Sequence, residues 1–169
     1  MPNWNQDQPA PTEMLKMLKN AFPAYIKKDV GVIFAKRDVA GTATPSDHSE
    51  GRALDIQFSI LPQLPTEDEK QVADFLFRVF IEEYKDLGMH HVIWKRQKWS
   101  VVNPTVATYP DPAAPQEVRR KQSPHLDHIH VSWTREGSQF IYFPKVSLRV
   151  NIYAHLRKQS SSELEKLLQ

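Results

Sequence analysis

Two short segments restrict the fold of this chain most strongly, because both concentrate side chains that bind metal ions. The first runs from Ser46 to Asp55 (SDHSEGRALD), and the second runs from His125 to His130 (HLDHIH). Asp55 and His130 are 75 positions apart in the sequence. We interpret His48, Asp55 and His130 as three ligands of one zinc ion, and this interpretation requires the fold to bring both segments together. Three protein ligands leave a fourth position for water, which is typical of catalytic zinc.

Alternating apolar and polar residues predict a strand in each segment. In residues 52–60, one face is apolar and consists of Leu54, Ile56 and Phe58. Asp55 therefore points away from the apolar face. In residues 127–133, His128 and His130 share one face, and the opposite face is apolar. His48 precedes Gly51 in a polar stretch that predicts a loop, and Gly51 gives the backbone the freedom to return the imidazole to Asp55.

The two segments resemble the superfamily of lysostaphin-type peptidases, D-Ala-D-Ala metallopeptidases and hedgehog domains. The first motif of that superfamily is Ser-x-His-x-x-Gly-x-Ala-x-Asp, and each fixed position is filled in residues 46–55. Its second motif ends in His-x-His or Glu-x-x-His. His125 extends the second segment to His-x-x-His-x-His, which is similar to the penicillin-insensitive murein endopeptidases. The resemblance covers about residues 31–133 and implies an α+β fold like that of hedgehog domains and DD-peptidases, with a small antiparallel sheet flanked by helices.

The resemblance also implies roles for residues around the zinc ligands. His128 is the first choice for the general base, because it shares a face with His130. Asp127 is the rival, although a regular strand would turn it to the opposite face unless a bulge intervened. Arg37 is expected to stabilise the developing oxyanion. Residues expected to contact substrate or to support the ligands are Ser46, His125, Trp94 and Tyr109.

Composition limits the other possibilities. The 169 residues, with 40% hydrophobic content, predict a single domain over 1–169, with flexible tails at 1–11 and 159–169. The net charge of +2 gives no basic field, so nucleic acid is not the expected partner. The chain has no cysteine, so zinc must be held by histidine and carboxylate groups. His90, His91 and His155 have no partner motif and are interpreted as structural or exposed.

Neither a signal peptide nor a membrane span is predicted. A protein that acts on the cell wall or in the periplasm would then be an endolysin or a secreted effector. It would be exported by a holin, a contractile secretion apparatus or a phage particle, unless a signal had been removed. An immunity or delivery partner cannot be inferred from the sequence.

Further elements follow from local patterns. Helices are predicted over 12–22 and from the capping box at Thr66 to Gly88, and strands over 31–39 and 91–102. Trp94 and Trp99 would face opposite sides of that last strand. The proline-rich segment 103–124 is interpreted as a long loop at the rim of a substrate cleft. Residues 146–152 fit either a strand or a helix ending near Lys158, and the last ten residues fit a short helix.

We expect a zinc metallopeptidase that hydrolyses an amide bond in peptidoglycan stem peptides or cross-links, as an endopeptidase or a DD-carboxypeptidase. The motifs do not identify the bond. One alternative is a catalytically inactive zinc-containing module that binds cell wall or a protein. A second is an HNH-like nuclease beginning at Asp127-His128-Ile129, for which only Asn151 and His155 could supply the later residues.

Overall fold

The computed structural model describes residues 3–27 and 33–167. The helices are α1 Pro9–Ala21, α2 Glu67–Glu82, α3 Tyr84–Leu87, α4 Gln116–Lys121 and α5 Pro144–Leu167. The strands are β1 Ala53–Gln57, β2 Met89–Trp94, β3 Gln97–Ser100, β4 Ala107–Thr108 and β5 His128–Trp133. Short 3₁₀ turns cover Asp47–Glu50 and Gly137–Gln139.

The strands form one antiparallel sheet in the order β1-β5-β2-β3-β4. Strand β5 lies between β1 and β2, so the second histidine segment pairs directly with the first. The register places Asp55 opposite His130 on one side, and Ile93 opposite His130 on the other. The predicted α+β class, with an antiparallel sheet flanked by helices, is confirmed.

One face of the sheet packs against α1 and α2, and α5 packs against these two helices. Side chains on this face are fully buried, among them Leu54, Ile56, Val92, Ile129, Val131 and Trp133. The helices contribute Met14, Leu18, Leu76, Phe80, Val146 and Val150 to the same core. Because side chains alternate along a strand, the polar residues of β1 and β5 lie on the opposite face. The helices therefore cover one face, and the other face is left for a functional site.

The two predicted helices are present. Thr66 caps α2 by accepting a hydrogen bond from the Glu69 amide, and the Glu69 carboxylate accepts one from the Thr66 amide. The predicted end at Gly88 is also correct, since Gly88 has φ 64° and closes α3, which follows α2 after a break at Glu83. Helix α1 begins at Pro9, earlier than expected, and Ala10 is completely buried. Part of the expected N-terminal tail is thus packed in the core.

The prediction of one strand over 91–102 was wrong. Lys95 and Arg96 have φ of 50° and 60° and form a tight turn, so β2 and β3 make a hairpin. Trp99 pairs with Val92 across this hairpin, which puts it on the same face as Trp94. Both tryptophans are buried against the helices, with exposures of 1% and 3%.

Three other predictions need correction. The described part of the expected strand at 31–39 contains only an isolated bridge from Asp38 to Pro45, and residues 31–32 lie outside the described residues. The segment 103–124 contains β4 and α4 and is not a structureless loop. Residues 146–152 belong to α5, so the helical alternative is correct, but the helix continues past the expected end near Lys158 and through the separate short helix expected at the C-terminus. Residues 168–169 are outside the described range.

The spacing of buried residues explains why α5 is a helix. Val146, Val150 and Ala154 face the core at intervals of four, whereas Leu148 and Ile152 are more than half exposed. The alternation of apolar residues in the sequence therefore did not reflect a strand. No helix within 3–27 or 33–167 is both long enough and apolar enough to cross a membrane.

Candidate metal centre

Three donor atoms converge on the polar face of the sheet. His48 Nε2 lies 3.2 Å from Asp55 Oδ1 and 3.2 Å from His130 Nδ1, and the last two atoms are 2.8 Å apart. In a tetrahedral zinc site with bonds near 2.0–2.1 Å, ligand atoms are roughly 3.3 Å apart. All three residues are buried. The structure thus brings together the three residues that the sequence indicated as metal ligands.

Local structure fixes the position of each ligand. Asp55 and His130 are paired neighbours in the β1–β5 ladder, so their side chains leave the same face side by side. His48 lies on the 3₁₀ turn, and its backbone amide donates a hydrogen bond to the Ser46 hydroxyl. Gly51 ends the turn with φ 67°, and a Cβ there would overlap the Gln6 carbonyl oxygen. These contacts return His48 to the edge of β1.

Hydrogen bonding determines which nitrogen of His48 can bind a metal. His48 Nδ1 lies 2.8 Å from the Ile33 carbonyl oxygen, which can only accept, so Nδ1 carries the proton. The lone pair on Nε2 then points at Asp55 Oδ1, which is also an acceptor. Two acceptors at 3.2 Å need a cation or a shared proton between them. The donor set and its arrangement therefore fit a zinc ion, with the Ile33 carbonyl as the outer partner of His48.

The electrostatics of the centre favour the forms that bind metal. Burial alone would raise the pKa of Asp55, but hydrogen bonds and charge from His130 and His48 hold it well below its usual range. Burial also lowers the pKa of His130, against the opposing effect of Asp55. At neutral pH the site contains an ionised carboxylate and an uncharged His130 imidazole.

His128 and Asp127 form a pair next to the three donors. His128 Nε2 lies 3.9 Å from Asp55 Oδ1, and His128 Nδ1 donates to Asp127 Oδ1 at 2.9 Å. Asp127 Oδ2 accepts a hydrogen bond from Gln57 Nε2 at 2.8 Å. Asp127 precedes β5, and its carboxylate reaches the polar face through these contacts. The two residues expected to compete as the base therefore interact with one another, and His128 is the one with a nitrogen near the donors.

Three further predicted residues line the same cleft. Arg37 Nη2 is 3.3 Å from Asp55 Oδ2, and its side chain is 52% exposed. The His125 ring lies 4.6 Å from the His128 ring and 5.4 Å from that of Tyr109. His125 Nδ1 donates to the Ser123 carbonyl, and burial lowers the pKa of His125 to about 3. Burial also raises the pKa of Tyr109.

Trp94 is not part of this site, which corrects its expected role at the substrate. It lies on the helix-covered face of β2 and donates from Nε1 to Asp74 Oδ1 at 2.7 Å. Its side chain is 1% exposed, so it cannot reach a molecule bound on the opposite face. The hairpin and the helix packing determine this placement.

The cleft has a volume of about 420 Å³. Its walls come from the 3₁₀ turn, the polar face of the sheet and the segment after β4. Tyr109 and Gln122 belong to the segment expected to form the rim, and both line the cleft. Asn151 and His155 are instead exposed residues of α5, and Asn151 lines a different surface cleft. The structure therefore does not bring the proposed nuclease residues together.

Several residues at the site were not expected there from the sequence, and among them His90 and His91 had been interpreted as structural or exposed. Asp47, His90, His91, Ser132 and Gln57 lie within or beside the cleft. Gln57 and Ser132 follow the polar periodicity of β1 and β5, so that signal could have identified them. His90 and His91 are consecutive, and strand alternation would place them on opposite faces.

The fold and the site define a small α+β protein with a candidate histidine–aspartate metal centre. Residues 5–118 match the family model VldE, C-terminal domain, and the chain belongs to this family. The matched range includes His48 and Asp55 but ends before His130. No curated protein and no solved structure matches the chain.

Proposed function

We propose that this protein is a zinc-dependent peptidase that cleaves an amide bond in peptidoglycan peptides. The observation that carries the proposal is the convergence of three buried donor atoms with His128 Nε2 directly beside them. Three protein ligands and an open cleft are the arrangement of catalytic rather than structural zinc. The choice of peptidoglycan rests on the likeness of the two motifs to cell-wall peptidases, and the site of action would be the cell wall or periplasm.

Each residue of the centre has a role in this mechanism. Bound zinc supplies Lewis acidity that activates water and polarises the scissile carbonyl. His128 accepts the proton at Nε2 and returns it to the leaving amine. Asp127 holds the proton on His128 Nδ1, so that Nε2 presents its lone pair to the cleft. Arg37 turns its guanidinium from Asp55 Oδ2 toward the oxyanion that develops during attack.

The cleft also suits a peptide substrate. It is open to solvent on the polar face of the sheet, and Tyr109 and His125 form an aromatic wall next to His128. Such a wall can pack against the side chain or methyl group of a bound residue while the backbone amide lies across the donors. Both endopeptidase and DD-carboxypeptidase activity are compatible with this arrangement.

The test is digestion of purified peptidoglycan by the zinc-loaded protein, with mass spectrometry of the released fragments. Parallel samples contain a chelator, the variant His48→Ala, and His128→Ala. The control is His155→Ala, which changes an exposed histidine of α5. We expect new peptide fragments or released D-alanine from the wild type and the control, but not from the other samples.

Zinc content and circular dichroism are measured on each variant, so that loss of folding is separated from loss of chemistry. His128→Ala should retain zinc and lose turnover by about 10²–10⁴-fold. Intact peptidoglycan after treatment with the folded, zinc-loaded wild type would contradict the proposal. A zinc-containing binding module would then explain the site, and it would bind peptidoglycan equally well with and without His128.

A further inference from the structure

A second group of donor atoms lies in the same cleft, apart from the three ligands already described. Asp47 Oδ2 is 3.6 Å from His90 Nδ1 and 3.8 Å from His91 Nδ1. The two ring nitrogens are 3.1 Å apart. These separations bracket the roughly 3.3 Å expected between ligands of a tetrahedral zinc ion. None of these residues contributes to the His48 centre.

A β-bulge brings the two histidines to one side. Met89 pairs with Trp133 and His91 pairs with Ser132, so β2 has one residue more than β5 at this point. The extra residue is His90. In a regular strand, consecutive side chains point to opposite faces, but a bulge redirects one of them. His90 and His91 consequently both face Asp47, and bulges of this kind are common beside functional sites.

The hydrogen bonds of the group are incomplete without a further partner. Among the described residues, Asp47 Oδ2 is buried and has no hydrogen-bond partner, whereas Asp47 Oδ1 pairs with Arg52 at 2.5 Å. A buried acceptor without a hydrogen-bond partner is destabilising. The His90 and His91 nitrogens at 3.1 Å share at most one proton between them. A cation among the three atoms would satisfy all of them.

Ser132 provides compatible outer contacts for both groups. Its Oγ lies 3.0 Å from His130 Nε2 and 3.4 Å from His91 Nε2. When each histidine binds a cation through Nδ1, each Nε2 carries a proton. The two N–H groups then donate to the Ser132 hydroxyl oxygen, one to each of its two lone pairs. The His91 ring also stacks on the His130 ring, with centroids 5.1 Å apart. The same pair of tautomers thus serves both sites.

Two cationic side chains face the second group and oppose a bound cation. Arg52 is held by Asp47 and also by Glu50, whose Oε2 lies 2.6 Å from Arg52 Nε. Lys98 lines the same cleft. Glu50 also pairs with Arg135, so Asp47 and Glu50 carry two negative charges against three cationic side chains. A bound cation therefore depends on direct coordination rather than on the net charge of the surroundings. The free carboxylate oxygen and the two imidazole nitrogens then decide which kind of cation binds.

We propose that Asp47, His90 and His91 form a second binding site for a zinc-type divalent cation in the same cleft as the His48 centre. Two imidazoles and one carboxylate select Zn²⁺ and related transition ions over Mg²⁺ and Ca²⁺, which require oxygen ligands. The proposal does not depend on peptidase activity, because it concerns metal binding alone.

The experiment measures bound zinc per chain by equilibrium dialysis and elemental analysis, with calorimetric titration for affinities. It compares the wild type with His90→Ala, His48→Ala, the double variant and His155→Ala. His90 is the preferred change, because its side chain is 39% exposed and its loss leaves the core intact. His155→Ala controls for removal of an exposed histidine. Excess Mg²⁺ is present throughout.

We expect two zinc ions per chain in the wild type and the control, one in each single variant, and less than one in the double variant. A single zinc ion in both the wild type and His90→Ala would overturn the proposal, as would no difference between His90→Ala and the control. Peptidoglycan digestion is scored separately. Two bound zinc ions without digestion would contradict the proposed function and leave the second site supported.

Discussion

At the scale of single residues, the centre depends on which nitrogen of each histidine carries a proton. The Ile33 carbonyl fixes the proton of His48 on Nδ1, and Asp127 fixes that of His128 on Nδ1. In both residues Nε2 is therefore left with its lone pair facing the cleft. In the proposed function, a metal would use the first lone pair and a substrate proton the second, so similar outer contacts would support two different tasks.

This arrangement predicts the effect of Asp127→Asn. The amide keeps one accepting oxygen but loses the negative charge and the second acceptor, so it cannot accept from both His128 Nδ1–H and Gln57 Nε2 as the carboxylate does. The imidazole is then held less firmly in its tautomer and orientation. We expect kcat for peptidoglycan cleavage to fall by about 10–100-fold with unchanged zinc content. The measurement is kcat for the wild type and the variant, together with zinc analysis of both.

Asp111→Asn is the matched control, because Asp111 is an exposed aspartate of the segment after β4 and does not line the cleft. It should retain wild-type kcat. An Asp127→Asn variant with normal kcat would show that His128 does not need this carboxylate.

At the scale of secondary-structure elements, local signals specify α1 and α2, and pairing between strands specifies the site. The capping box of α2 was evident in the sequence and is formed as expected. The β2–β3 hairpin and the bulge at His90 depend on pairing with other strands, so neither was predicted. Side-chain periodicity indicates which residues share a face only while the strand is regular.

The capping box gives a prediction about stability. Thr66→Ala removes the hydroxyl that accepts from the Glu69 amide, and we expect a loss of about 1 kcal/mol in the free energy of unfolding. Urea denaturation at neutral pH measures this loss. Thr105→Ala, at an exposed hydroxyl outside the helices, is the control and should change stability little. Equal stability of the two variants would contradict the role of the cap.

Glu69 adds a dependence on pH. Burial alone would raise its pKa, but the hydrogen bond from the Thr66 amide and the contact with Lys27 outweigh burial and lower the pKa below its usual value. Its contribution to stability is therefore fully present above the unfolded pKa and is lost as pH falls through the folded pKa. We expect Glu69→Gln to be less stable than wild type at neutral pH, with the difference shrinking in acid. A difference that stayed constant or grew in acid would contradict this assignment.

At the scale of the whole molecule, the sheet forms the candidate metal centre by joining two distant parts of the chain. The pairing of β1 with β5 places Asp55 beside His130, and the 3₁₀ turn adds His48. An unfolded chain would hold these three residues apart. Zinc should therefore bind the folded state preferentially and stabilise it.

Removal of metal should consequently destabilise the protein. At free zinc about 100 times the dissociation constant, we expect the free energy of unfolding to rise by about 2.7 kcal/mol relative to a chelated sample. Thermal unfolding with and without zinc measures this effect as an increase in Tm. The increase should become smaller in His48→Ala and remain in His155→Ala. Identical Tm values with and without zinc would mean that the buried donors hold no metal.

The sequence by itself determined the features that depend on neighbouring residues. Strand periodicity separated Asp55 and His130 from the core, Gly51 permitted the turn at His48, and Thr66 marked the start of α2. The absence of cysteine restricted the metal donors to histidine and carboxylate groups. These properties arise from local backbone preferences and side-chain chemistry, so no knowledge of the fold was needed to infer them.

Only the tertiary structure decided the features that depend on distant partners. The hairpin turned Trp94 and Trp99 to the same buried face, and the bulge turned His90 and His91 toward Asp47. The contact of Asp127 with His128 likewise depends on where β5 begins. Pairing with another strand can shift the alternation of side chains by one residue, and a shift of one residue reverses which face each side chain occupies.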